Sequence, residues 1–528
     1  MGAEDSPTWG QPWKFDLLVT SSKGSHLELG SHAWPLQQLG TRISISNRAP
    51  DTIAGLLDFK PLDPVSDVKV HGFVRSVRSQ KRNHFVSLGD GSSLDSLQAV
   101  VPADQAEGLT IGTAVRLHGS WVPSQGRGQT HELQVQKTAV LGPSDAKKKY
   151  QTPEYLRTMP HLRPRVPFNS VVFRFRSEVM ASLTKFFADR SFTQVHTPIL
   201  TSSDCEGAGE VFHVSPSEDK PSSDSETAAH FFRRPVYATV SAQLHLEALS
   251  QALGNVWTLS PTFRAEQSDT PRHLSEFYML EAEMAFVDDL GPVMDLVEDM
   301  LRYISTDLGS SRTTNELLSC EPQRSADLAP VEVVEQRWKG LGIQQWPRIT
   351  YSEAIKLLEA ANVPFTHKPI WGRDLQTEHE KYIAKAVGGG DSPVFVTNYP
   401  RDIKAFYMKS DAGTSSSPEP GATVACFDLL VPEFCEIAGG SMREHRLDPL
   451  VESMRAHGIN SCSSVEDHTA EFQAASNNLD WYLDLRKWGC PPHGGFGLGF
   501  DRMISYLSGV QTIRDTTAFP RWYGRCDC

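Results

Sequence analysis

Residues 65–142 consist of short stretches in which apolar and polar side chains alternate, separated by turns rich in glycine and serine. Alternation of this kind is typical of β-strands with one buried face. The stretches begin near Val68, His84, Leu97, Ala114 and Glu132. Short strands in so compact a segment predict a small closed barrel, most simply an OB-fold, and a barrel without any ligand is the alternative.

Further along the chain, apolar residues recur at helical spacing and predict a helix with one buried face over 174–190. The apolar segment 191–200 follows, and it contains Pro198. Because proline cannot donate a hydrogen bond to a neighbouring strand, this strand is expected at a sheet edge or a bulge. The polar segments 215–230 and 412–421 are expected to be surface loops.

The composition is that of an ordinary globular protein, with 39% hydrophobic and 22% charged residues among 528. We find no apolar run of about 18 residues, so no membrane span is expected. The eight cysteines lack the paired spacing of a zinc site, and we interpret them as reduced thiols.

The net charge of −13 argues against a protein that coats nucleic acid without specificity. Residues 65–150 differ, because they hold eleven Lys or Arg and seven Asp or Glu, which gives +4. A local basic surface can contact a nucleic-acid backbone, and a solvated charged face is the alternative.

Two segments carry the candidate chemistry. Residues 261–277 (PTFRAEQSDTPRHLSEF) place arginines, glutamates, a histidine and aromatics around a polar turn that should join two strands. Arginine can bind phosphate through two parallel hydrogen bonds, and an aromatic can stack on a base. Residues 494–502 (GGFGLGFDR) combine glycines that let a ligand approach the backbone with an arginine near a helix start. A salt-bridged, exposed hairpin is the alternative for the first segment.

Together these segments resemble motifs 2 and 3 of the class II aminoacyl-tRNA synthetases, and 174–200 resembles motif 1, which builds a homodimer interface. The resemblance covers about residues 65–528 and is specific to the aspartyl/asparaginyl subgroup. It implies an α+β fold, with an N-terminal OB-fold β-barrel followed by a class II core, an antiparallel sheet flanked by helices. The expected divisions are an extension at 1–60, an anticodon-binding barrel at 65–142, a hinge at 143–167, and a catalytic domain at 168–528 with an insertion around 306–345.

The resemblance also implies ATP as a substrate and Mg²⁺ as a cofactor. The residues expected to bind ATP are Arg264, Glu266, His273, Phe277, Asp428, Glu436 and Arg502. Of these, Arg264 and Arg502 are expected to stabilise charge on the phosphates during catalysis. Asp428 and Glu436 are expected to bind the metal through hard oxygen ligands. Surface charge is the alternative for this pair of acids.

Substrate choice depends on few positions. Aspartyl enzymes carry a lysine where this chain has Leu246, and Glu247 follows it. A buried carboxylate would repel aspartate but can accept the amide hydrogens of asparagine, to whose side-chain oxygen Arg443 can donate. By resemblance, Glu206 and Gln243 contact the α-ammonium group. We therefore expect an ATP-dependent ligase that joins asparagine to tRNA(Asn).

Within the barrel, the resemblance assigns three anticodon contacts. Phe85 is expected to stack on a base, Gln98 to read the central uridine, and Arg78 to contact the loop. A core phenylalanine is the alternative for Phe85.

Three departures from the subgroup pattern affect the expected site. Asp501 stands where glutamate is usual in motif 3. Glu433 and Cys435 replace the glycines of a Pro-Gly-Ile-Gly-Glu pattern and are expected to add bulk near the metal acids. His445 replaces an acid. Each change is expected to slow adenylate formation.

Rival functions follow from the same residues. They are an aspartate–tRNA ligase that also charges tRNA(Asn), an asparagine synthetase on the same core, and a non-catalytic paralogue. The expected partners are tRNA(Asn), asparagine, ATP and a second copy of the chain, and no membrane. Residues 17–50 contain a single acid, so a mitochondrial matrix location is expected despite an acidic start, with the cytoplasm as the alternative.

Overall fold

The computed structural model describes residues 49–126, 128–145, 155–156, 158–203, 211–215, 231–319, 328–411, 421–459 and 479–528. Most of the expected extension (1–48), Glu206, and most of the expected loops at 215–230 and 412–421 lie outside these residues. No helix in the described part of the chain has both the length and the apolar character needed to cross a membrane.

The strands within those residues are β1 (Val65–Ser79), β2 (Asn83–Gly89), β3 (Leu97–Pro102), β4 (Ala114–Pro123), β5 (His131–Gly142), β6 (Thr193–Gln194), β7 (Leu200–Thr201), β8 (Tyr237–Ala238), β9 (Val256–Phe263), β10 (Glu276–Ala285), β11 (Arg348–Thr350), β12 (Val394–Thr397), β13 (Cys426–Val431), β14 (Cys435–Met442) and β15 (His493–Gly499). The α-helices are α1 (Ile53–Asp58), α2 (Pro167–Asp189), α3 (Gln243–Leu253), α4 (Gly291–Leu308), α5 (Arg312–Leu318), α6 (Val331–Leu341), α7 (Tyr351–Glu359), α8 (Thr377–Gly388), α9 (Leu447–Ala456), α10 (Asp480–Lys487) and α11 (Phe500–Ser508).

Strands β1 to β5 form a closed barrel in the order β1-β2-β3-β5-β4. The long strand β1 closes it by pairing with both β2 and β4, and its register shifts once against each partner. Such irregularities bend a strand and let a small sheet curl onto itself. Alternate residues point inward, among them the fully buried Val86, Leu88 and Leu117. The predicted OB-fold is confirmed.

The larger domain is built on an eight-stranded sheet in the order β11-β12-β13-β14-β15-β10-β9-β6. All pairs from β12 to β9 are antiparallel, whereas the edge strands β11 and β6 pair in parallel. The expected antiparallel sheet flanked by helices is therefore confirmed, with parallel pairs added at its two edges. Strand β6 lies at an edge, as Pro198 predicts, but the expected strand over 191–200 is split between two sheets.

Helix α2 packs one face against this core. Phe175, Val179, Leu183 and Phe186 are all completely buried and recur at helical spacing. They join the same apolar cluster as the buried face of α4. The sheet is thereby covered on one side, and its other side is left to form a cleft.

Candidate active site

A cleft of about 340 Å³ lies over the central strands β10, β14 and β15. Its walls include residues from both segments that the sequence singled out as phosphate-binding candidates. All seven residues expected to bind ATP line it: Arg264, Glu266, His273, Phe277, Asp428, Glu436 and Arg502. Residues far apart in sequence thus meet because β10 and β15 are neighbours in the sheet.

Glycine is required at the floor of this cleft. A Cβ atom on Gly495 would lie 2.1 Å from Glu283 Oε2 and 2.2 Å from the Ala282 carbonyl oxygen. One on Gly440 would lie 2.5 Å from the ring of Phe427. The glycines of β14 and β15 therefore make room for side chains from the flanking strands, which explains the glycine-rich motif.

One end of the cleft is cationic and aromatic. The guanidinium carbon of Arg264 lies 5.8 Å from the ring centre of Phe277, and its Nη1 lies 3.8 Å from Glu266 Oε1. His273 Nε2 lies 3.4 Å from the other oxygen of Glu266. Arg502 enters from the start of α11 and donates through Nη1 to the Glu436 carbonyl oxygen at 2.6 Å. These side chains can bind phosphates and stack on a purine.

Two acids converge beside this end. Asp428 on β13 lies opposite Gly439 on β14, and the register shifts between Leu429 and Leu430 so that Glu436 joins the same face. A Cβ on Gly439 would lie 3.3 Å from Glu436 Oε1 and 3.4 Å from Asp428 Oδ1. Burial raises the pKa of Glu436, and the nearby Asp428 charge raises it further. The two carboxylates therefore repel each other, and a bound cation would reduce that repulsion.

Other charges already act on these acids. Lys404 Nζ donates to both oxygens of Asp428, at 2.9 and 2.8 Å. Glu380 on α8 was missed by sequence reasoning; burial, followed by the charges of Glu436 and Asp428, raises its pKa to about 7. No group of three metal-ligating side chains is found in the described part of the chain. Two carboxylates fit Mg²⁺, which usually takes one or two of them together with phosphate oxygens.

The opposite end is formed by Ser241, Gln243, Leu246, Glu281, Glu283 and Arg443, and we call it the α3 end. Arg443 forms a buried ion pair with Glu283 through Nε and Nη2, at 3.0 to 3.3 Å, and its Nη1 donates to Ser441 Oγ at 2.7 Å. Within this set Arg443 is the only cation, and Glu283 neutralises it.

Glu281 and Glu283 were both missed by sequence reasoning. They alternate on β10, so both face the cleft, although β10 is a central strand. Glu281 accepts hydrogen bonds from Ser241 Oγ and from the backbone nitrogen of Ala242, just before α3. Two acids at a spacing of two, each with apolar residues next to it in the strand, were the available signal.

Glu247 is not at the cleft surface. Its side chain has no solvent exposure, and its oxygens accept hydrogen bonds from Gln243, Tyr482, Arg486 and His493 at 2.7 to 3.1 Å. Although burial acts to raise its pKa, the charge of Arg486 and the bond from His493 bring the pKa below its usual range. This placement corrects the expectation that Glu247 contacts the substrate, because no part of its carboxylate faces the cleft. Gln243 lines the cleft but donates to Glu247.

The departures from the subgroup pattern have local explanations. Asp501 accepts from Arg176 Nη1 at 2.6 Å and from the Tyr278 backbone nitrogen at 2.8 Å, so its shorter side chain is fully engaged. Glu433 and Cys435 have φ of +68° and +66°, in the region that favours glycine. Glu433 pairs with Arg337 and does not line the cleft.

Neither of the remaining departures enters the cleft. The Cys435 thiol is buried, with Sγ 4.0 Å from Arg272 Nη1, and burial, reinforced by the charge of Glu380, raises its pKa to about 11. His445 lies outside the cleft lining, and burial lowers its pKa.

The barrel brings the three expected anticodon contacts onto one outer face. Arg78 lies opposite Phe85 in the β1–β2 pairing, and the neighbouring Ser87 lies opposite Gln98 in the β2–β3 pairing. The guanidinium carbon of Arg78 is 4.8 Å from the centre of the Phe85 ring. Phe85 is only partly buried, so it is not a core residue of the barrel. An aromatic and a cation side by side on neighbouring strands suit a single-stranded base.

Known proteins share this architecture. Residues 152–523 match the family of class II tRNA synthetases (D, K and N), and residues 68–141 match the OB-fold nucleic acid binding domain. The chain is 41% identical over 484 residues to the mitochondrial asparagine–tRNA ligase of Saccharomyces cerevisiae, covering 87% of this chain and 92% of that protein. It is 43% identical over 469 residues to the asparagine–tRNA ligase of Geobacter sulfurreducens, covering 86% and 95%.

A solved structure extends the comparison. Asparaginyl-tRNA synthetase from Pyrococcus horikoshii, complexed with asparaginyl-adenylate, superposes with a TM-score of 0.72 at 28% identity, covering 90% of this chain and 98% of that one. Since the family match alone spans residues 152–523, this chain belongs to the class II tRNA synthetases of the D, K and N group.

Proposed function

We propose that this chain is an asparagine–tRNA ligase that uses ATP to activate asparagine and then transfers it to tRNA(Asn). The observation that carries this proposal is the α3 end of the cleft, where Glu283 neutralises Arg443 and Leu246 adds no charge. The relatives named above as asparagine–tRNA ligases support the same conclusion over most of the chain.

Selection of asparagine over aspartate follows from this charge balance. Glu281 lies where an α-ammonium group can be neutralised, and Arg443 can donate to a side-chain oxygen. Among the described residues of the α3 end, Arg443 is the one cation that a β-carboxylate could meet, and it is already paired with Glu283. The β-carboxylate would also be repelled by the Glu283 carboxylate itself. A neutral carboxamide avoids that repulsion and can donate to a glutamate oxygen. The anion responsible is Glu283 rather than Glu247.

Activation is a displacement at the α-phosphate of ATP. The asparagine carboxylate oxygen attacks phosphorus, the bond to the bridging oxygen breaks, and pyrophosphate leaves with its electrons. Arg264 and Arg502, which both line the cleft, would stabilise the charge on these phosphates, while Phe277 would orient the adenine. No side chain needs to remove a proton, because the nucleophile is already ionised.

Asp428 and Glu436 would hold Mg²⁺ in this scheme. A bound magnesium ion supplies charge that neutralises the phosphates and the two acids together. Lys404 would then share Asp428 with the metal. The chain's own contribution is the convergence of both carboxylates over Gly439.

The second step needs tRNA. The barrel face of Arg78, Phe85 and Gln98 would hold the anticodon loop by stacking and edge hydrogen bonds. The free terminal adenosine hydroxyl would then attack the acyl-adenylate in the cleft, releasing AMP.

A homodimer and a mitochondrial location complete the proposal. The motif 1 region exposes the apolar residues Met180, Ile199 and Leu200 by 41%, 44% and 44%, which supports a contact surface there. Light scattering on the purified chain tests the dimer. A fluorescent fusion to residues 1–60 tests the location, for which the yeast mitochondrial relative is the support.

Aminoacylation tests the function itself. Purified chain, ATP and a tRNA(Asn) transcript are incubated with labelled asparagine or labelled aspartate, and acid-precipitable label is counted. Label from asparagine alone supports the proposal. Label from aspartate at a comparable rate indicates an aspartate–tRNA ligase, and label from neither indicates a non-catalytic paralogue. Conversion of aspartate and ammonia to asparagine without tRNA would indicate a synthetase of the amino acid.

A further inference from the structure

The loop of residues 90–96, which joins β2 to β3 of the barrel, reaches into the catalytic domain. Leu94 is 7% exposed and belongs to the apolar cluster of that domain, together with Val172 and Phe175 of α2. A barrel residue is therefore packed in the core of the other domain. Burial of a leucine side chain stabilises the contact, so it restrains the barrel.

The adjacent residue forms a polar link to the same domain. Ser93 Oγ donates to Glu316 Oε1 at 3.0 Å, and the other oxygen of Glu316 accepts from Arg174 Nη2 at 2.6 Å. Ser93 and Glu316 are 1% and 7% exposed, so water does not compete for this bond. A buried hydrogen bond to a charged group is directional, and it fixes the orientation of the loop.

Within the barrel, the loop is held by Arg75 of β1. Its Nη1 donates to the Leu94 carbonyl oxygen at 2.7 Å, and its Nη2 donates to the Ser93 carbonyl oxygen at 3.3 Å. Its side chain crosses Gly89, where a Cβ atom would lie 2.0 Å from the Arg75 Nε. The loop is thus rigidly attached to β1 as well as to α2 and α5.

The same strands carry the expected anticodon contacts. Phe85 lies on β2 four residues before Gly89, Gln98 lies on β3 four residues after Leu94, and Arg78 lies on β1 three residues after Arg75. Strands rise about 3.3 Å per residue, so Phe85 lies about 13 Å along β2 from Gly89, whereas Gln98 is the second residue of β3 and lies next to the loop. Any tilt of the loop therefore moves the reading face relative to the cleft.

We propose that Ser93 and Leu94 are positioning residues for tRNA charging, which hold the anticodon-reading face at the distance and angle that the cleft requires. The inference rests on the proposed function and on Arg78, Phe85 and Gln98 as anticodon contacts. A preoriented barrel loses less freedom when tRNA binds both domains, so weakening the loop contact raises the KM for tRNA. Activation of asparagine needs only the cleft and is unaffected.

Ser93→Ala and Leu94→Ala test this, with Ser124→Ala as the matched control. Ser124 Oγ donates to Glu132 at 2.8 Å, so its variant removes a serine–glutamate bond that lies wholly within the barrel. We expect Ser93→Ala to raise the KM for tRNA(Asn) about fivefold, the equivalent of one net hydrogen bond. Leu94→Ala should raise it about tenfold or more. ATP–pyrophosphate exchange with asparagine should stay within about twofold in all three.

A shortened RNA that keeps the acceptor stem but lacks the anticodon arm separates positioning from general damage. Its charging should be the same in parent and variants, because it does not bridge both domains. An unchanged KM for full-length tRNA in both loop variants, or an equal loss of exchange and charging, overturns the inference while leaving the proposed function intact. A parent chain that exchanges pyrophosphate but charges no tRNA(Asn) contradicts the proposed function, and this inference falls with it.

Discussion

Arg443 and Glu283 form an ion pair at the floor of the cleft, with Nη2 and Oε2 3.0 Å apart and both side chains almost fully buried. The pair joins β10 to the segment after β14 across the central strand β15. Because the two charges cancel, Leu246 is apolar and Gln243 is neutral, Glu281 is the one remaining acid of the α3 end. The α3 end thereby presents a cation that is already paired with an anion, whereas a pocket that binds a carboxylate side chain would need an unpaired cation.

Glu283→Gln should weaken discrimination between amino acids. Without its carboxylate partner, Arg443 becomes an unmatched buried cation that can pair with a β-carboxylate. We expect the ratio of kcat/KM for asparagine to that for aspartate, measured by ATP–pyrophosphate exchange, to fall roughly tenfold. The free energy of unfolding should also fall by about 3 kcal/mol, because one member of a buried pair is removed.

Glu298→Gln is the control for that change. Glu298 is a buried acid of α4 that pairs with Arg302 outside the cleft. It should lower stability without altering the amino-acid ratio. Equal changes of the ratio in both variants would show that lost stability, and not the pocket charge, governs selection.

Glu436→Gln should impair activation through the metal. Neutralising one of the two converging carboxylates removes a magnesium ligand, so exchange should slow about 100-fold and need more Mg²⁺. Glu433→Gln is the neighbouring control, since Glu433 pairs with Arg337 away from the cleft. A magnesium titration of exchange that is identical for parent and Glu436→Gln would place the ion elsewhere.

His493 should make the fold sensitive to alkaline pH. Its Nε2 faces Glu247 Oε2 at 3.1 Å and its Nδ1 faces the Pro491 carbonyl oxygen at 2.8 Å, so both nitrogens donate and the ring is cationic. Burial acts to lower its pKa, but bonds to Cys490 and Glu247 raise the pKa to about 10. Because the pKa of His493 is higher in the folded chain than in the unfolded chain, protonated His493 stabilises the fold. This contribution to the free energy of unfolding is complete below about pH 6.5 and is lost between pH 6.5 and 10.

Chemical denaturation at pH 7, 8 and 9 measures the effect. The parent chain should lose about 1 kcal/mol per pH unit from this group. His493→Gln, which cannot carry the proton, should show a correspondingly shallower decline. Parallel slopes for the two proteins would mean that His493 is neutral in the folded state.

Phe85→Ala should weaken tRNA binding without changing the rate of asparagine activation. Stacking on a base contributes about 1–3 kcal/mol, so the KM for tRNA(Asn) should rise about tenfold. Ile111→Ala, which changes another exposed apolar residue of the barrel, should leave it unchanged. If both variants behave alike in aminoacylation assays, the Arg78–Phe85 face is not the reading surface.

The fold and the meeting of the seven expected ATP-binding residues in one cleft could be predicted because their signals are local. Alternation of apolar and polar residues indicates the barrel strands. The glycine-rich segment indicates the strand against which side chains of neighbouring strands, such as Glu283, pack closely. The position of Glu247 could not be predicted, since helical spacing shows that Leu246 and Glu247 face differently but not which of them faces the cleft. Arg486 and His493, which donate hydrogen bonds to Glu247, are more than 230 residues away from it in the chain.

Glu281 and Glu283 were overlooked for a related reason. Acids in a strand are ordinarily assigned to its solvent face, and only the sheet order shows that β10 is central. The Arg443–Glu283 ion pair is a long-range contact, because its members are 160 positions apart in the chain. The proposed basis of substrate choice is thus a set of pairings that tertiary structure alone reveals.

ATP–pyrophosphate exchange with asparagine and with aspartate, measured side by side on the unmodified chain, tests the central claim most directly. The account predicts exchange with asparagine and at least about 100-fold lower kcat/KM with aspartate, the equivalent of one unpaired buried charge. Comparable exchange with the two amino acids would contradict it, because the α3 end, whose one cation among the described residues is already neutralised by Glu283, should not accept a carboxylate side chain.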